Sequence, residues 1–93
     1  MYFPSYIEIS RSAIENNINF LRELYGDAVR ISSVVKANAY GHGIAQFVPI
    51  VESCGIDHFS VFSMDEAQEV RKALKNHADI MVMGWVHPSD IEL

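Results

Sequence analysis

The amino-acid sequence predicts an α/β structure in which helices alternate with strands of a parallel sheet. Three observations carry this. Apolar runs rich in β-branched side chains recur at residues 30–36, 58–62 and 80–86. Between them, apolar residues return at helical spacing. Capping signals stand where those helical stretches should begin. Strands bridged by helices imply parallel pairing and right-handed crossovers.

Taken in order, residues 6–9, Tyr-Ile-Glu-Ile, alternate apolar and polar and are expected to form a short strand. Ser12 and Glu15 have capping-box spacing. Ile14, Ile18, Leu21 and Tyr25 then make one helix face, with Gly26 as the stop. Residues 30–36 read as a buried strand closed by Lys36. Ile44, Phe47, Val48 and Val51 form a second helical stripe, ending near Gly55. Strand 58–62 leads into Ser63 and Glu66, a second capping-box pair opening a helix through about Asn76. Strand 80–86 is almost unbroken in apolar character, and the later strands are expected to be covered on both faces. His87-Pro88-Ser89-Asp90 looks like the start of a fourth helix, because proline suits a first helical turn. A (β/α)₈ barrel needs about 250 residues. Residues 1–93 are therefore expected to supply only the amino-terminal part of such a TIM-type barrel, truncated after about three barrel strands.

Composition narrows the function. The 49% apolar content suits a folded domain. A net charge of −5 gives no electrostatic reason to bind nucleic acid or an anionic membrane. No basic-then-apolar leader and no bilayer-length apolar run is visible. Cys54 is the sole cysteine, so an internal disulfide is impossible and a reducing, cytoplasmic compartment is expected.

The stretch "ISSVVKANAYGHG", residues 31–43, holds the chemistry. In parallel α/β folds, chemistry gathers at the carboxyl ends of strands. Lys36 sits at such an end among valines and alanines, where desolvation would favour a neutral, nucleophilic amine. On placement alone, a solvated lysine at a strand end is the commoner outcome. The following residues alter that balance. Asn38 and Tyr40 add hydrogen-bond donors, Gly41 and Gly43 permit tight backbone geometry, and the next helix start can present amides to an anion. A carbonyl-bearing cofactor with a phosphate tail would use all of these, and pyridoxal 5′-phosphate (PLP) is such a molecule.

Val34-Val35-Lys36-Ala37-Asn38-Ala39-Tyr40-Gly41-His42-Gly43 resembles the PLP-attachment signature of the alanine racemase family throughout. Glu8-Ile9 with Ser12-Ala13-Ile14, then Val61, Glu66-Ala67 and Arg71, then residues 80–84, extend the resemblance along nearly all of the chain. It implies a PLP barrel of fold type III, followed by a carboxy-terminal β domain and working as a homodimer. The implied reaction is interconversion of L- and D-alanine for peptidoglycan in cell-wall biogenesis. Lys36 would carry PLP covalently and exchange the α-proton on one face, and Tyr40 would hydrogen-bond the cofactor phosphate. The second base, a tyrosine of the partner subunit, and the arginine facing the pyridine nitrogen would lie beyond Leu93. The 93-residue chain by itself is therefore expected not to racemise alanine. A broader amino-acid racemase, the PLP-binding homeostasis family and a non-catalytic, oligomerising piece are the rival readings. The residues around Lys36 argue against the second.

Other conspicuous residues have plainer readings. Trp85 stands near the expected barrel mouth, where it could narrow a pocket or pack against a loop. His42 is expected to hydrogen-bond the backbone of a tight turn. Met83 reads as a core gap-filler and Cys54 as buried and inert. Asp65 and Glu66 read as helix-capping acids, not an acid–base pair. His42, His58, His77 and His87 lack the close pairings of a zinc site, so no metal is expected.

Overall fold

The structure, a computed structural model, describes residues 5–91. Helix α1 (Arg11–Tyr25) starts at Ser10, whose hydroxyl accepts the Ala13 N–H at 3.2 Å. The cap is thus Ser10 and not Ser12, which lies inside the first turn and bonds the Ser10 hydroxyl at 3.2 Å. A serine two residues earlier satisfies the same orphan amides, and Glu15 contributes nothing to the cap. Gly26, at φ 79°, closes the helix with its N–H on the Arg22 carbonyl at 2.8 Å. Upstream, residues 6–9 form no strand. Tyr6 and Ile7 are largely exposed, and no described segment pairs with them. Alternation marks a strand face, but a strand also needs a neighbour for its amides.

Three short strands, β1 (Ser33–Val34), β2 (His58–Val61) and β3 (Asp79–Val82), lie in the order β1-β2-β3, all parallel. Ser33 pairs with Phe59, and Phe59 with Ile80. Strand β1 is shorter than the apolar run 30–36 because the backbone turns away at Val35, whose N–H makes a last bond to the Ser60 carbonyl at 2.9 Å. Strand β3 likewise ends at Val82, short of the expected Val86. The Met83 and Gly84 amides still reach the Val61 and Phe62 carbonyls at 2.8 and 2.9 Å. At the start of the strands, Arg30 bridges Asp57 and Asp79 at 3.0 and 2.9 Å, but these exposed pairs contribute little to stability.

The helices α3 (Ile44–Ser53) and α4 (Met64–Ala73) cover the sheet face that carries Val35, Phe59 and Val61, all fully buried. Each such side chain contributes roughly 1.5–3 kcal/mol of burial. The expectation of cover on both faces fails. Val34, Met81 and Met83, which alternation puts on the opposite face, are exposed, so Met83 fills no core gap among the described residues. Among the described residues only Ser60 on that side is buried, bonded to the Ser32 hydroxyl at 2.6 Å.

Strong local signals fix α3 and α4. Ile44, Val48 and Val51 are buried as their spacing requires, and this burial tolerates Pro49 despite the amide it lacks. Ser63 and Glu66 form the reciprocal capping box. Helix α4 ends at Ala73, before Asn76, because the Glu52 carboxylate captures the Lys75 and Asn76 amides at 3.0 and 2.9 Å. In place of a fourth helix, Pro88–Asp90 makes one 3₁₀ turn, with His87 Nδ1 accepting the Ser89 N–H at 3.1 Å.

Gly84 packs so closely on β2 that an added Cβ would lie 2.5 Å from the Phe62 carbonyl oxygen. Gly84→Ala is expected to destabilise the fold by about 1–3 kcal/mol. Thermal unfolding checks this, and an unchanged midpoint would contradict the packing.

Candidate active site

Directly after β1, the chain enters a conformation that sequence reading did not anticipate. In the short turn α2 (Lys36–Tyr40), Ala37, Asn38, Ala39 and Tyr40 all have φ between 54 and 56°. This is a left-handed helical turn built without glycine. Each such residue costs roughly 1–2 kcal/mol relative to the right-handed form, so the surroundings must hold it. They do so with a dense set of hydrogen bonds. The Ala39 N–H bonds the Val35 carbonyl at 2.9 Å, and the Gly41 N–H bonds that of Ala37 at 3.0 Å. The Gly43 N–H returns to the Asn38 carbonyl at 2.9 Å.

Two side chains complete the exit from the turn. Asn38 Oδ1 accepts the Ile44 N–H at 2.9 Å, capping α3 where Gly43 has no side chain to do so. His42 Nδ1 meets the Ala39 carbonyl at 3.0 Å, the backbone role expected of it. Gly41 and Gly43 have φ of 89 and 97°, where glycine is favoured. At Gly43 an added Cβ would also collide with the Gln46 side chain.

The turn sorts its side chains. Ala39 is buried at 3% exposure, whereas Lys36 and Tyr40 stand out of the core. The amine is therefore not desolvated as expected, because three strands do not enclose their own carboxyl ends. What the arrangement offers is a primary amine and a phenolic hydroxyl presented by one short turn. These are the groups needed to attach an aldehyde and to hydrogen-bond a phosphate. The neighbouring cleft of about 540 Å³, between the turn and α4, is lined by Asp65, Glu66 and Glu69. Its acidic wall would repel an anion.

Glu66 does more than cap α4. Its Oε1 accepts the Phe62 and Ser63 amides at 2.7 and 3.1 Å, and its Oε2 accepts the Ala37 amide at 2.7 Å. Partial desolvation pushes this carboxyl up. The amides of Ala37, Phe62 and Ser63, together with the nearby Lys36 charge, outweigh that and hold it below the usual range. Hydrogen bonding and charge from Arg30 lower Asp79 in the same direction. A carboxylate depressed in the fold stabilises it above the unfolded-state pKa, and that stability is lost as pH falls through the folded value. The unfolding midpoint is thus expected to fall on acidification below the ordinary values of 4.5 and 3.8 for Glu66 and Asp79. A melting series in pH checks the sign, and a midpoint that rises would refute it.

Trp85 is exposed and packs edge-on against His87, with ring centroids 5.5 Å apart. Cys54 is half-buried at the end of α3, less enclosed than expected.

The family model of the alanine racemase N-terminal domain matches residues 9–93. The chain belongs to this family. An amino-acid racemase of Enterococcus faecalis is 43% identical over 84 residues, covering 90% of this chain and 12% of that protein. An alanine racemase of Listeria innocua is 40% identical over 90 residues, covering 97% of this chain and 24% of its own length. The chain thus spans a quarter or less of these curated relatives. The alanine racemase of Bacillus anthracis, solved with bound L-Ala-P, superposes with a TM-score of 0.86 at 35% identity, over 98% of this chain and 23% of that one. The alanine racemase of Bartonella henselae, solved with covalently bound pyridoxal phosphate, gives 0.76 at 30% identity, over 88% and 23%. The three parallel strands and their helices therefore match the first part of the alanine racemase barrel, with the barrel left open.

Proposed function

We propose that residues 1–93 form the cofactor-lysine portion of a PLP-dependent alanine racemase barrel, with Lys36 as the attachment point. The observation that carries this reading is the placement of Lys36 and Tyr40 at the two ends of one left-handed turn at the carboxyl end of β1. PLP, when bound, supplies an electron-poor ring that spreads the charge left when an α-proton departs.

The chain's own residues do the rest. Lys36 Nζ would hold the cofactor, and its amine would take or return the α-proton on one face. The Tyr40 hydroxyl would donate to the cofactor phosphate. Asn38 and His42 hold the turn through backbone contacts. The opposite proton transfer needs a second base, which this reading assigns to a partner subunit of a cytoplasmic homodimer. D-alanine for peptidoglycan is the product in this account.

The decisive test is borohydride reduction of the full-length gene product with PLP, followed by peptide mass mapping. A phosphopyridoxyl group on Lys36 is expected, and labelling at another lysine would refute the assignment. A second reading, a racemase of broader substrate range, draws on the Enterococcus faecalis relative and on exposed Trp85. Relative rates on alanine and serine separate the two.

A further inference from the structure

We infer that Glu66 is a positioning residue for Lys36, because its carboxylate ties the first turn of α4 to the peptide immediately after the lysine. The inference rests on Lys36 as the cofactor-bearing residue and deepens that reading. An ordinary capping box needs one carboxylate oxygen for the amides at the helix start. Here Oε1 does that work alone, on Phe62 and Ser63. The other oxygen spans 29 residues of sequence to the Ala37 N–H at 2.7 Å. No helix cap requires that bond.

Its consequence is local. On one side of Lys36, the Val35 amide is held by the Ser60 carbonyl at 2.9 Å. On the other, the Ala37 amide is held by Glu66. Lys36 is therefore clamped between the sheet and α4, and Ala37 is also the first residue of the left-handed turn. Without the second clamp, Ala37 could relax toward its preferred backbone region and swing the lysine with it.

The substitution that separates these roles is Glu66→Gln. Its amide oxygen can serve one set of donors, but its NH₂ then faces backbone N–H groups that also donate. Ser63→Ala is the control. It removes the hydroxyl that accepts the Glu66 N–H at 3.3 Å, weakening the cap while leaving the Ala37–Glu66 bond intact.

The measurement is the rate of borohydride-trapped PLP labelling at Lys36 across a pH series, on the full-length gene product, with melting temperatures alongside. For Glu66→Gln the limiting rate at alkaline pH is expected to fall about tenfold, the weight of one charge-assisted hydrogen bond. Ser63→Ala should lower the melting temperature and leave the labelling rate unchanged. Equal labelling changes in the two variants, or none in Glu66→Gln, would overturn the inference while sparing the cofactor reading. An unlabelled Lys36 in the parent protein would overturn both. If Glu66→Gln does not fold, Glu66→Asp serves instead, since it keeps the charge but is too short to span both sets of amides.

Discussion

Lys36→Ala in the full-length gene product is expected to lower D-alanine formation by about 10³-fold or more. A positioned acid or base alone contributes roughly 10²–10⁴-fold, and this substitution also removes the covalent anchor of the cofactor. The fold should not suffer. Lys36 is exposed, and its own side chain makes no hydrogen bond or ion pair among the described residues. A surface substitution of this kind changes stability by only about ±0.5 kcal/mol. The discriminating pattern is therefore lost turnover at an unchanged melting temperature. Lys36→Arg should be as inactive, because a guanidinium stays protonated and cannot serve as base or nucleophile. Added methylamine should restore part of the rate to Lys36→Ala by supplying the missing amine. Turnover within about tenfold of the parent, without any added amine, would end the assignment.

Residues 34–43 were legible as one unit because they are a contiguous block, and the turn keeps them together. Helices α3 and α4 were legible for a similar reason. The Ile44, Val48 and Val51 stripe and the Ser63–Glu66 box are local spacings, and the structure uses them as read. What escaped were features fixed from a distance. The alternation at residues 6–9 specifies a face but no partner, and among the described residues none pairs with it. The β-branched run to Val35 promised a strand through Lys36, yet the backbone leaves the sheet at Val35. Alanines carry no mark of a left-handed conformation. Asn38 alone belongs to a type that visits that region readily. Glu66 was correctly read as a cap, but the bond from its second oxygen to Ala37 joins two segments that no local spacing relates.

The turn itself makes the second large prediction, and Ala39 is the place to test it. Ala39 is 3% exposed with φ 56°, so a substitution there meets both backbone strain and a full core. In the left-handed region, a β-branched residue is a genuine outlier. Ala39→Val adds β-branched strain to an overpacking cost of about 1–3 kcal/mol. That overpacking cost alone is a large share of the roughly 5–15 kcal/mol that holds a typical domain folded. Ala37→Gly provides the opposite sign. Ala37 is exposed at φ 54°, so glycine relieves about 1–2 kcal/mol of strain there. The extra backbone entropy of the unfolded chain returns about 0.5–1 kcal/mol of that gain. Denaturant unfolding should thus find Ala39→Val strongly destabilised and Ala37→Gly equal to or above the parent. If both alanines behaved as ordinary right-handed positions, glycine at 37 would destabilise and valine at 39 would show only its packing cost. A destabilising Ala37→Gly would mean Lys36 is presented by some other backbone path, and the clamp from Glu66 would have nothing strained to hold.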